Sequence, residues 1–313
     1  MIELIELKKE ELMKNRGYTA TLSAGYHMLA DNFKAIFRHI WVYALVFALV
    51  MGAWTVFETN FENPEDLEMT AMMGVKLLVA VIAVIVVAIA FSARATMLLN
   101  EQSMRWNVGR VTKLLGFSIL LTIILSLVIL ALVFYTGGAE SAATAADAAE
   151  GAEIEDLQPN AAIGLVQMFF VVGVVIVLAL IFYLPFLYTV PKYLVETESK
   201  LFPTLFGKYG RGLRHWGYIF VCMLLLSLCI GVCSIILMLP MYVVQMVQRL
   251  NQVGMLGGDE SGLPSWFGWL NFGVSTVTYF VYSFISLIEL FVCYYIYGSI
   301  ETRHREKQLI KTE

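Results

Sequence analysis

The stretch ESKLFPTLFGKYGRGLRHWGY, residues 198–218, runs directly into the apolar run IFVCMLLLSLCIGVCSIILMLP, residues 219–240. The first part is short, basic and amphipathic. The second is long enough to cross a bilayer, which takes about 20 apolar residues in a helix. The same two-part unit recurs. In the first copy Leu22, Tyr26, Leu29, Phe33, Ile36 and Ile40 fall three and four residues apart, and Ser23, His27, Asp31, Lys34 and Arg38 keep that spacing one step round. That is an amphipathic helix. A shift of 75 residues puts Met97, Met104, Val108, Val111 and Leu115 in the apolar places and Lys113 in the place of Arg38; Glu101 breaks the apolar face. A shift of 176 puts Phe202, Leu205, Tyr209 and Trp216 there, with Arg214 on Arg38. Gly207, Gly210, Gly212 and Gly217 weaken this third copy as a helix, by about 1 kcal/mol each relative to Ala. The match is of pattern, not of identity; duplication and shared membrane constraints both produce it.

The rest of the chain fits around these units. Of its 313 residues, 59% are hydrophobic and 15% charged, with a mean hydropathy of +0.75. Soluble domains carry about 25% charged residues. Charges are absent over 39–57, 77–93, 114–139, 157–191 and 215–248, and over 261–300 except for Glu289. Six spans follow, near 39–58, 74–94, 114–136, 162–188, 216–241 and 270–298. Lys76 and Arg94 snorkel from the ends of the short second span. Nineteen of the 21 Lys and Arg residues fall in the N-terminal arm, the loops after spans 2 and 4, and the C-terminal tail. The loops 58–73, 137–161 and 242–269 hold 13 acidic residues. The positive-inside rule then puts both termini in the cytoplasm. The first 16 residues alternate charge with apolar side chains and read as a cytoplasmic amphipathic helix, not a cleavable signal. The expected architecture is an all-α integral membrane protein of three hairpin-like units, each preceded by a cytoplasmic amphipathic helix. Residues 1–38 form the arm, 39–298 the membrane domain and 299–313 the tail.

Local features refine this reading. Ala80, Ala83, Ala88, Ala90 and Ala93 make span 2 the candidate for a central, close-packed helix. Asn63-Pro64 predicts a turn. The Ala-rich acidic segment 137–161 is mobile or weakly helical by composition, and its carboxylates lack the spacing of a calcium loop. Pro185 and Pro191 predict a kink where span 4 leaves the membrane. Pro240 ends or bends span 5, and 241–250 then lies along the outer interface, with Trp266 and Trp269 as anchors.

Glu289 is the one ionisable residue deep within a span, and an intramembrane carboxylate is a functional-site hypothesis by default. Ser275, Tyr279, Tyr282, Ser286 and Glu289 follow a four-three spacing on one face of span 6, which should point into the bundle or a wet cavity. The structural alternative is a hydrogen bond from Glu289 to Arg94, a tyrosine or a backbone group. Arg38, Arg110, Lys113, Arg211 and Arg214 would form a basic belt at the inner face, drawn to anionic headgroups or to a cytoplasmic protein partner. Cys222, Cys229 and Cys233 share one face of span 5 and, with Cys293, read as buried packing residues; no close CxxC spacing suggests a metal. His27, His39, His215 and His304 do not cluster, and neither a zinc-protease nor a phosphate-loop or hydrolase motif is present. No catalytic residue, cofactor, metal or nucleic-acid partner is expected.

From Thr19-Ala20-Thr21-Leu22-Ser23-Ala24-Gly25-Tyr26 through Phe33-Lys34-Ala35-Ile36-Phe37 into span 1, the chain resembles a family of uncharacterised bacterial six-helix membrane proteins. These are similar to the membrane domain fused to some glycerophosphodiester phosphodiesterases. The resemblance implies an amphipathic helix before a span, repeated, in a bacterial cytoplasmic membrane. The catalytic power of that family resides in a soluble domain that this sequence lacks, so no active-site residue carries over. The expectation is a non-enzymatic, membrane-organising or accessory protein. A small transporter or permease component, with the Glu289 stripe lining a polar path, is the alternative.

Overall fold

The computed structural model describes residues 9–61, 71–100, 102–149, 173–178, 180–257 and 262–312. They are helical apart from turns and short connections, with no strand among them. The elements are α1 (Lys9–Leu12), α2 (Tyr18–Asp31), α3 (Phe33–Phe61), α4 (Ala71–Thr96) and α5 (Met104–Ala149). Helical residues 173–178 and 180–183 then lead through a turn at Leu184-Pro185 into α6 (Phe186–Val195). After α6 come α7 (Leu201–Leu205), α8 (Tyr209–Arg214), α9 (Trp216–Leu256) and α10 (Phe267–Thr312). Six helical segments are long and apolar enough to cross a membrane, as expected, and they mark a multi-pass membrane protein. Large apolar side chains on α4, α5 and α9 stand exposed, among them Val79, Ile82, Ile124, Leu127, Ile235 and Ile236. A water-soluble protein would bury such faces.

The helices overrun the expected spans. α3 passes residue 38 and α10 passes residue 298 without a break. At 46 residues α10 is about 69 Å long, more than twice the roughly 30 Å hydrocarbon thickness of a bilayer, so its charged end projects beyond it. In the second unit no separate helix precedes the span: α5 is continuous from Met104 and runs on to Ala149. Alanine is the best helix former, which accounts for helix, not loop, over 137–149; the rest of that acidic segment lies outside the described residues. α9 continues through Pro240 to Leu256, so 241–250 prolongs the helix and does not leave it. The Asn63-Pro64 turn and residues 1–8 of the expected N-terminal amphipathic helix lie outside the described residues; of 9–16 only Lys9–Leu12 is helical.

The centre of the molecule is α10, not span 2. α10 packs on α1, α2, α3, α6 and α9, and every residue from Phe291 to Ile300 is buried. α4 packs on α3 and α5 and buries little beyond Ala93 and Ala95. Small residues select a packing partner only where that partner comes close. That happens on α2 and α3. A Cβ on Gly25 would lie 2.5 Å from a methyl of Val292, and one on Gly52 would lie 3.1 Å from the carbonyl oxygen of Phe272. The buried seam of the first unit is therefore Thr21, Gly25, Met28, Leu29, Ile36 and Ile40, while Tyr26 and Phe33 of the expected stripe are exposed.

The packed core gathers Leu12, Leu98, Leu184, Tyr188, Tyr218 and residues near Tyr297. The N-terminal arm, the turn after α4, the start of α6, the start of α9 and the stretch of α10 around Tyr297 thus meet at one end of the bundle. The arm is tied to the tail there: Arg303 donates to Asn15 Oδ1 and to the Arg16 carbonyl, both at 2.8 Å. Tyr218 joins α9 to α2 through a 2.7 Å bond with the Thr21 hydroxyl.

Candidate functional site

Two arrangements of chemistry-bearing side chains lie between span 4 and α10. The first is a cleft of about 580 Å³ that contains Glu289. Leu180, Leu184, Leu187, Val190, Pro191 and Leu194 wall it on the span 4 side; Ser286, Glu289, Leu290 and Cys293 wall it on α10. Leucines, a valine and a proline thus face a carboxylate that is itself exposed in the cleft and whose side chain, among the described residues, makes no hydrogen bond or ion pair. The expected Arg94 partner is elsewhere, donating to the His39 carbonyl at 3.2 Å and lying 3.1 Å from His39 Nδ1. The expected stripe is divided. Ser286 shares the cleft with Glu289, and its hydroxyl donates to the Ser283 carbonyl at 2.8 Å. Tyr279 and Tyr282 are half-buried. Ser275 is fully buried and bonds Asn271, which donates to Gln248 on α9 at 3.1 Å.

The cleft exists because span 4 is broken. Pro185 has no N–H, so the carbonyl four residues back, on Ile181, loses its helical donor. The Tyr209 hydroxyl of α8 donates to that carbonyl at 2.9 Å. Gly212 lets α8 settle on the break; a Cβ there would lie 2.9 Å from the Pro185 carbonyl oxygen. Rings of Phe117, Phe186, Phe206 and Tyr209 pack around the joint, with centroids 5.4–6.4 Å apart.

The second arrangement is a polar network at the packed end of the bundle. Glu301 on α10 accepts from Tyr188 at 2.9 Å, from Lys192 at 3.4 Å and from Arg211 at 3.1 Å. Lys192 also pairs with Glu196 at 2.9 Å, and Tyr297 donates to Glu196 at the same distance. Two cations face two carboxylates, so the network is neutral and each carboxylate is spoken for. Glu301 lies past residue 298, where the expected sixth span ends. Burial pushes its carboxyl up, but Lys192, the Tyr188 hydroxyl and Arg211 outweigh this and hold it below the usual range.

The five basic residues do not form one belt. Arg38, Lys113 and Arg214 are exposed. Arg211 belongs to the neutral network. Arg110 is buried between the rings of Trp106 and Tyr193, 4.0 and 4.5 Å from their centroids. Its guanidinium donates to the carbonyls of Tyr193, Glu196 (2.8 Å), Thr197 (2.7 Å) and Ser199 (3.0 Å). The last carbonyls of a helix have no intrahelical donor and carry partial negative charge, so Arg110 acts as the cap of α6. Beside it Asn100 and Asn107 exchange amide bonds at 2.9 and 3.1 Å, and Asn100 donates to the Leu194 carbonyl. Of the cysteines, Cys222 and Cys293 are buried as expected, whereas Cys229 and Cys233 are exposed.

The network was not among the sequence candidates. Its signal was present: Tyr188, Lys192 and Glu196 are four apart, as are Tyr297 and Glu301, which places each set on one helix face. No protein-family model matches the chain, and neither does any curated protein or solved structure.

Proposed function

We propose that the chain is a non-enzymatic membrane-organising or accessory protein of a bacterial cytoplasmic membrane, of the kind its 19–37 segment resembles, with both termini cytoplasmic. It acts by holding the acyl chain of a lipid in the cleft between span 4 and α10. The observation that carries this reading is the lining of the cleft. A path for a polar solute needs polar groups along its length, but these walls are mainly leucine, valine, proline and phenylalanine, with Tyr183, Ser286 and Glu289 the polar exceptions. The second acid–base set, around Glu301, consists of mutually paired groups and so favours a latch between helices over catalysis. Glu289 favours one other reading, a transporter, because it is an intramembrane carboxylate with no described partner.

The test is a photo-reactive residue in place of Leu187 or Leu290, irradiated in native membranes. A single lipid species captured at these positions, against mixed bulk-lipid adducts at lipid-facing Ile235 on α9, is the expected result. No adduct, together with solute flux in proteoliposomes that Glu289→Gln abolishes, would replace the accessory reading with transport.

A further inference from the structure

A second hollow, of about 420 Å³, opens between α8 and the projecting end of α10. Lys208, Arg211, Arg214, His215, His304 and Lys307 line it. His304 and Lys307 are three residues apart and so share one face of α10. The carboxylate beside the hollow, Glu301, is taken up by Arg211, Lys192 and Tyr188. Among the described residues the side chains of Lys208, Arg214 and Lys307 form no hydrogen bond or ion pair with the chain. Burial, then the charges of Lys307, Arg303, Arg214 and His304, holds the His215 imidazole below its ordinary value, as expected of a group among uncompensated cations. A Cβ on Gly210 would meet nothing within 4 Å, so bare backbone forms part of the wall.

We propose that this hollow binds a phosphate group. Concave surfaces lined by one sign of charge concentrate the opposite charge. The Arg214 fork and two lysine ammoniums, set on two elements, can each engage a different oxygen of a tetrahedral phosphate; a carboxylate has only two oxygens to offer. The same short segment carries Phe202, Phe206 and Leu213, exposed by 59, 56 and 46%. Apolar side chains therefore flank the basic hollow, as a lipid with its phosphate in the hollow would require. A phosphorylated solute would use the same cations. The choice between these two sources rests on the membrane reading above; the phosphate chemistry does not.

The purified full-length chain tests this by native mass spectrometry with phosphatidic acid, phosphatidylglycerol or phosphatidylcholine. Thermal unfolding with inorganic phosphate or glycerol 3-phosphate forms the soluble arm. The variant is Lys208→Gln, Arg214→Gln and Lys307→Gln together, which spares the Glu301 network. The control is Lys34→Gln with Arg38→Gln, two exposed cations elsewhere on the basic side. The expected result is phosphatidic acid bound in preference to phosphatidylcholine, about a hundredfold more weakly by the triple variant and unchanged in the control. The ligand-free melting temperature of the triple variant should match that of the unmodified chain. Retention of lipid alone assigns a headgroup; stabilisation by the soluble phosphates that the triple variant loses assigns a solute. Equal binding by the triple variant, equal loss in the control, no preference over phosphatidylcholine, or no binding in either arm would overturn the proposal. A cleft-blocking Ser286→Trp variant that keeps phosphate binding would count against the acyl-chain reading only.

Discussion

Glu301 concentrates more of the packed end's chemistry than any other side chain on α10. Removing its charge strands Lys192 and Arg211 in a poorly solvated place, and breaking a buried pair costs about 3–5 kcal/mol. Glu301 is buried but Arg211 stays about one-fifth exposed, so about 2–3 kcal/mol is expected for Glu301→Gln, read from unfolding in detergent micelles. Because its folded-state pKa is depressed, its contribution is fully present above the unfolded carboxylate pKa and is lost as pH falls through the folded value. The unmodified chain should therefore lose stability across that acidic window more steeply than Glu301→Gln; parallel pH profiles would remove Glu301 from the latch. Tyr209 offers a smaller test. Its hydroxyl replaces the donor that Pro185 lacks, so Tyr209→Phe should cost about 0.5–1.5 kcal/mol. If restoring the backbone donor with Pro185→Ala removes that penalty, the hydroxyl serves the break; if the penalty persists, it does not.

At the scale of the elements, the geometry depends on close approaches to α10 and on the cap of α6. Gly52→Leu should force α3 away from Phe272 and Thr276 and cost about 1–3 kcal/mol, as overpacking generally does. Gly116→Leu, on a face of α5 where a Cβ meets nothing within 4 Å, should be neutral or stabilising. Arg110→Ala should cost more than either, about 2–4 kcal/mol, since several carbonyls lose a charged donor together. The same contacts explain what could be read in advance. Span number and kinks depend on length, composition and proline, which act locally, so the six spans and the break at Pro185 were legible. Alanines made span 2 a plausible centre, but composition does not say which neighbour approaches; Gly25 and Gly52 decide that, and each matters only once α10 lies against it. Lys192 and Arg211 counted as cations of the inner face, Arg211 in the expected basic belt, and Glu196 and Glu301 carried no reading of their own. Only the folded meeting of α6, α8 and α10 makes them a network. Glu289 was legible because it is alone; most of the apolar wall around it comes from a different span.

At the scale of the whole molecule, packing and charge point the same way. The arm, the turn after α4 and the start of the tail share one core, the segment joining α6 to α9 is tied to it through Arg211 and Glu301, and these are the segments that carry nearly all the lysines and arginines. The proposed phosphate site in the basic hollow and the proposed lipid site in the apolar cleft fit a protein anchored by its basic face. Six crossings with that face toward the cytoplasm is therefore the claim on which the rest depends. It is tested by single cysteines at position 147 and at position 308 in a chain whose four native cysteines are replaced. Intact cells are treated with a membrane-impermeant thiol reagent. Position 147 should react at once and position 308 only after permeabilisation. Reaction of both from the same side would contradict the account.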